Sequence, residues 1–171
     1  TNGMLQNTSI NFGEYDVIIS RIDSNGKHSY SIQFGTSGSD YARECAIDSA
    51  GFLYIAGHTN GAFGTYTATG TYDVFLLKLN ATDGSYIDAW QYQTTYGDEY
   101  NGLVATDSND IIYFIHESSN QSLISGDRGI VVNRMSTFGV VEASYIYDSS
   151  GNDLPVDVTI DNDDNIYIVG N

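Results

Sequence analysis

Residues Asp48-Ser49-Ala50-Gly51-Phe52-Leu53-Tyr54-Ile55-Ala56-Gly57 decide the reading of this chain. A short Asp-led turn runs into an apolar stretch, and the pattern returns twice. Asp107-Ser108-Asn109-Asp110-Ile111-Ile112-Tyr113-Phe114-Ile115 is the second copy, and Asp161-Asn162-Asp163-Asp164-Asn165-Ile166-Tyr167-Ile168-Val169-Gly170 the third. In every copy a tyrosine follows the aspartate by six positions: 48 and 54, 107 and 113, 161 and 167. Self-similarity at a long, nearly fixed spacing marks a repeat architecture.

Outward from this block lies a second repeated one. Tyr15-Asp16-Val17-Ile18-Ile19-Ser20-Arg21-Ile22 matches Tyr72-Asp73-Val74-Phe75-Leu76-Leu77-Lys78-Leu79, and more weakly Arg128-Gly129-Ile130-Val131-Val132-Asn133-Arg134-Met135. Each copy keeps a basic residue at its seventh place (Arg21, Lys78, Arg134) and is followed by a glycine, Gly26, Gly84 or Gly139. Each period of roughly 54–59 residues therefore reads as four short strands. For the first complete period these are expected near Arg43–Asp48, Phe52–Gly57, Tyr72–Asn80 and Tyr86–Thr94. The second and third strands are apolar on both faces, as expected of a small sheet sandwiched between neighbouring sheets. Pro155 falls at the start of a first strand, where a missing N–H is tolerated. Four-stranded units at this period indicate propeller blades.

The strings Phe34-Gly35-Thr36-Ser37-Gly38-Ser39-Asp40-Tyr41 and Ala46-Ile47-Asp48 through His58-Thr59 resemble the SBBP type of β-propeller repeat, as does Tyr72-Asp73-Val74-Phe75-Leu76-Leu77-Lys78-Leu79. The resemblance implies a propeller fold and a secreted or cell-surface setting. It implies no single activity, because propellers are scaffolds.

The expected fold is all-β, a propeller-like array of four-stranded antiparallel blades, as one domain over residues 1–171. Its repeats are a half blade at 1–39, blades at 40–98 and 99–152, and a half blade at 153–171. Thr1-Asn2-Gly3 matches Thr59-Asn60-Gly61, and Gly170-Asn171 falls where Gly57-His58 does. The two half blades would together make one blade. They are expected to be completed either by another copy of the chain or by further repeats of a longer one, of which this sequence, lacking a starting Met, reads as an excised piece.

Composition narrows the function. Twenty-two acidic and six basic side chains give a formal charge of −16, which argues against nucleic acid and against anionic membrane surfaces. No stretch approaches the length of a transmembrane helix. The single cysteine, Cys45, forms no internal disulfide and is expected as a buried strand thiol. The histidines His28, His58 and His116 are expected on the surface or in loops.

No nucleophile elbow, phosphate loop or His-Glu-x-x-His is present, so the reading is of a non-enzyme. The run Asp161, Asp163, Asn165 is a candidate calcium site: it has the oxygen-rich opening of a calcium loop but carries Ile166 where that loop has its glycine. A plain hairpin turn fits it better, and no other cofactor is indicated. Glu44 and Asp157 share a place on the first strands, with Leu103 in the middle copy. Tyr86, Trp90 and Tyr92 alternate with their neighbours, offering either a glycan-stacking stripe or a face packed on the next blade. Sequons stand at Asn7, Asn80 and Asn120, all expected to be exposed. The expected role is an extracellular structural or protein-interaction module, with a calcium- or glycan-binding adhesin as the alternative and protein as the main partner.

Overall fold

A computed structural model describes residues 13–92, 97–120 and 127–171. Two complete four-stranded antiparallel sheets carry the centre of the chain. The first has the order β3-β4-β5-β6: Asp40–Ile47, Phe52–Thr59, Asp73–Asn80 and Tyr86–Tyr92. The second has β7-β8-β9-β10: Glu99–Thr106, Ile112–Ser118, Gly129–Met135 and Val141–Tyr147. Before them comes an antiparallel pair, β1 (Val17–Ile22) with β2 (His28–Phe34), and after them another, β11 (Pro155–Ile160) with β12 (Ile166–Gly170). The expected succession of half blade, two blades and half blade is therefore what the described residues form. Positions 93 and 94 of the expected fourth strand, like the Thr1-Asn2-Gly3 match, lie outside them.

The sheets stack face to face, with the first strands β3, β7 and β11 side by side. Tyr54, Ala56, Val74 and Leu76 of the first sheet meet Val104, Ile112, Phe114 and Met135 of the second in one apolar layer. The opposite face of the first sheet, with Ile55, Phe75, Leu77 and Leu79, packs on Val17, Ile19 and Ile32 of the leading pair. The second sheet's far face holds Val158, Ile160, Ile166 and Ile168 of the trailing pair. Every residue of β5 from Asp73 to Leu79 is buried, which is why that strand shows no polar alternation.

The sheets come close enough at one point for backbone to touch backbone. A Cβ on Gly102 of β7 would sit 2.6 Å from the carbonyl oxygen of Gly57 on β4, so only glycine fits there. The connections between third and fourth strands turn through Gly26, Gly84 and Gly139, at φ of +78°, +75° and +77°. The repeated glycine of the sequence is thus a left-handed turn residue. Every first strand carries an irregularity, between Ala42 and Glu44, Tyr100 and Leu103, and Pro155 and Asp157.

Candidate functional site

The Asp-to-Tyr interval has a physical cause. Asp48 accepts hydrogen bonds from the N–H of Phe52 and the hydroxyl of Tyr54, at 2.8 and 3.0 Å. Asp107 does the same for Ile111 N–H and Tyr113, and Asp161 for Asn165 N–H and Tyr167. The aspartate closes the turn between first and second strands, and the tyrosine two residues into the second strand reaches back to hold it. Asp161 also accepts from the side chain of Asn165 and the N–H of Asp163, and these bonds hold its carboxyl down at about 2. Of the calcium candidates, then, Asp161 and Asn165 bond each other within the turn, and Asp163 is exposed. Among the described residues no group of three or more His, Cys, Asp or Glu is placed to hold a metal.

The turns also bond to one another across sheets. Asp110, in the left-handed region at φ +61°, accepts from the N–H and hydroxyl of Ser49 in the preceding sheet. Asp164, at φ +62°, repeats this on Ser108. A second clasp runs from the recurring basic place of the repeat. Lys78 Nζ donates to the Thr137 carbonyl in the next sheet's glycine turn at 2.8 Å, and Arg21 donates to that of Thr82 at 3.4 Å. Arg134 instead pairs with Glu142 on its own sheet. Neither clasp was read from the sequence, although its residues stand at equivalent repeat positions.

Glu44 and Asp157 are brought into interaction on the first strands. Burial raises the Glu44 carboxyl, the Val104 N–H opposes that shift, and Asp157 adds to it. Trp90 and Tyr92 pack against the second sheet, with the Tyr92 hydroxyl on the Gly139 carbonyl at 3.2 Å. Tyr86 departs from their stripe. The register slips between Asp88 and Tyr86, throwing Tyr86 out beside Phe34 of the leading pair, where it stays exposed.

Four expectations are corrected. Cys45 is exposed, because no sheet among the described residues covers that face of β3. Of the histidines, His28 is on the surface as expected, but His58 is half-buried on β4 and His116 is buried on β8 between Asn133 and the Glu117 carbonyl. Asn120 is buried rather than exposed, because the segment after β8 folds back over Gly97. Asn80 is half-buried at the end of β5 and accepts from the Thr82 N–H, so it too is engaged. Asn7 lies outside the described residues.

At the other ends of the strands Tyr41, Tyr72 and Tyr100 gather around His58, and Tyr15 lies against Tyr41. Ring centroids lie 5.1–5.6 Å apart for Tyr41, Tyr72 and Tyr100 against His58, and the Arg128 guanidinium covers Tyr100. Burial lowers both His58 and His116 from 6.5 to about 4. Protons therefore bind the unfolded chain better than the folded one. The stability these neutral imidazoles contribute is complete above pH 6.5 and is lost as the pH falls toward about 4. Urea midpoints should fall between pH 7 and pH 5, and His58→Gln should flatten that slope. A midpoint that does not move across this interval would contradict the burial of both rings.

These sheets and their turns define a repeat of the β-propeller class. More closely, residues 29–64, from β2 through β4, match the SBBP family, described as a beta-propeller repeat. A search of curated proteins finds no match to the chain. No helix among the described residues is long and apolar enough to cross a membrane, which says nothing of a β-barrel.

Proposed function

We propose that this chain is an extracellular or cell-surface structural module that associates with protein, other copies of itself included, and that it is a scaffold and not a catalyst. The observation that carries the reading is the stack of antiparallel sheets tied turn to turn by the Asp110–Ser49, Asp164–Ser108 and Lys78–Thr137 contacts, a rigid repeat scaffold. Large apolar side chains stay bare on it, among them Phe138, Val140 and Tyr145, and exposed apolar surface marks interaction sites. The SBBP resemblance supports the extracellular setting, and the strong net negative charge favours solubility.

Light scattering over a concentration series tests this. The expected mass exceeds 18.7 kDa and either settles at a discrete multiple or climbs with concentration. A monomer at every concentration would overturn self-association. Glycan binding is the second reading, favoured by the tyrosine group around His58, whose rings would stack on a sugar.

A further inference from the structure

The turns that carry Gly26, Gly84 and Gly139 share a left-handed glycine, yet their side chains differ in kind. On either side of the glycine stand Asn25 and Lys27 in the first, Asp83 and Ser85 in the second, Phe138 and Val140 in the third. A complete sheet follows each of the first two turns, and Asn25, Lys27, Asp83 and Ser85 are still exposed. These two places of the repeat thus face solvent with a neighbouring sheet present. In the β9–β10 turn they hold apolar side chains. Phe138 is 83% exposed, more than any other large apolar side chain among the described residues, and Val140 is 60% exposed. The turn itself needs neither. Backbone bonds from Gly139 N–H to the Ser136 carbonyl and from Ser136 N–H to the Val140 carbonyl close it.

Phe138 forms one wall of an open groove of about 330 Å³ between the two complete sheets. Ala50 and Phe52 line it from the first sheet, and Ile111 from the second, with Asp48 and Asp110 beside them. Asp110 and Asp164 belong to the row of turns that bond one another through Ser49 and Ser108. Those bonds hold both carboxyls below the usual carboxylate range, so both are ionised at neutral pH. Among the described residues neither has a basic side chain in salt-bridge contact. Lys78 acts on Asp48, but its ammonium is nearly covered, lies on the Phe52 ring and donates to Thr137.

We propose that this groove docks a segment of a partner protein in which a large apolar residue is flanked by lysine or arginine. The apolar side chain enters between Phe138 and Phe52, and the basic ones meet Asp110 and Asp164. This rests on the interaction module proposed above and gives it a partner of stated chemistry. Charge selects the occupant. A second copy of the chain would bring a formal charge of −16 and the same acidic turns, whereas a basic segment is attracted. Size agrees, since the volume is at the low end of ligand clefts, about 300–1,000 Å³, and suits one large side chain. An exposed aromatic with a polar rim is the usual anchor of such a contact.

The probe is a short fluorescein-labelled peptide with a central Trp between paired lysines, read by anisotropy. It should bind, and more weakly as salt rises, because the carboxylates are exposed. Phe138→Asn, which installs the residue found in the β1–β2 turn, should weaken binding about tenfold or more with the urea midpoint unchanged. Asp110→Asn keeps an acceptor for Ser49 and tolerates the left-handed backbone; it should weaken binding less and flatten the salt dependence. No binding, equal binding by Phe138→Asn, or equal binding of the same peptide with glutamates for lysines overturns the groove and leaves the module reading to light scattering. If Phe138→Asn lowers the mass of the protein alone, the occupant is a second copy and the proposal fails while self-association stands.

Discussion

Phe114→Ala should destabilise the protein by about 3–5 kcal/mol, the usual loss for emptying a large aromatic site in a packed core. Phe114 is fully buried on β8 and enters the layer between the two complete sheets, beside Val74, Leu76 and Trp90. The Tyr92 ring lies 5.4 Å away and His116 5.6 Å. The sheets cannot close over the void, because Gly57 and Gly102 already bring their backbones into contact. The measurement is a urea unfolding curve. The midpoint should fall sharply with little change in slope, and the melting temperature should drop by roughly 10 °C, at ~2–4 °C per kcal/mol for a chain of this size. Tyr145→Ala on the exposed strand β10 should move either quantity very little, by less than about 0.5 kcal/mol. Equal losses from the two would mean that the sheets do not stack as described.

Much of this layer was legible in the sequence. The four-strand period, the glycine turns and the doubly apolar second and third strands all follow from local pattern, and the structure contains each of them. The errors share a cause. Where the strand register is irregular, alternation no longer reports the face a side chain takes, and Tyr86 is the clear case. Where no described sheet lies alongside, an apolar-alternating stretch is exposed, as Cys45 is. His116 erred the other way. Polar type suggests surface, but the site supplies Asn133 and a backbone carbonyl, and a satisfied imidazole can be buried.

The candidate site was less legible than the fold. The interval of six between Asp and Tyr was visible and the aspartate was legible as a turn residue, but the tyrosine's part in the turn was not. The structure adds it, by placing a phenolic hydroxyl beside the backbone N–H groups on each of these carboxylates. The clasps between sheets were hidden for a simpler reason. They join residues about one repeat apart, as in Asp110 to Ser49 and Lys78 to Thr137, and repeat matching compares such positions without asking whether they touch.

Lys78→Ala should cost about 2–3 kcal/mol, much more than the same change at its repeat equivalent Arg21. The difference comes from burial. Lys78 is nearly covered, its ammonium lies 4.2 Å from the Phe52 ring centroid and 5.4 Å from that of Tyr54, and it donates to Thr137 of the next sheet. Burial lowers its pKa, so the charge is held at a cost that the carbonyl and the two rings offset. Alanine removes the bond and the stem together and leaves the Thr137 carbonyl without that donor. Lys78→Met keeps the stem over Phe52 and should recover about 1 kcal/mol of the loss. Arg21 is exposed and its bond is long, so Arg21→Ala should stay within about 0.5 kcal/mol. The hydrogen-bond partner of Lys78 is a carbonyl, and Asp48 and Asp88 act on its ammonium from farther off. The loss should therefore change less between low and high salt than that of an exposed ion pair. Urea midpoints of the three variants at two ionic strengths measure this. If Lys78→Ala were no worse than Arg21→Ala, the basic residue of the repeat would serve solubility, and the glycine turns would be held by the sheets alone.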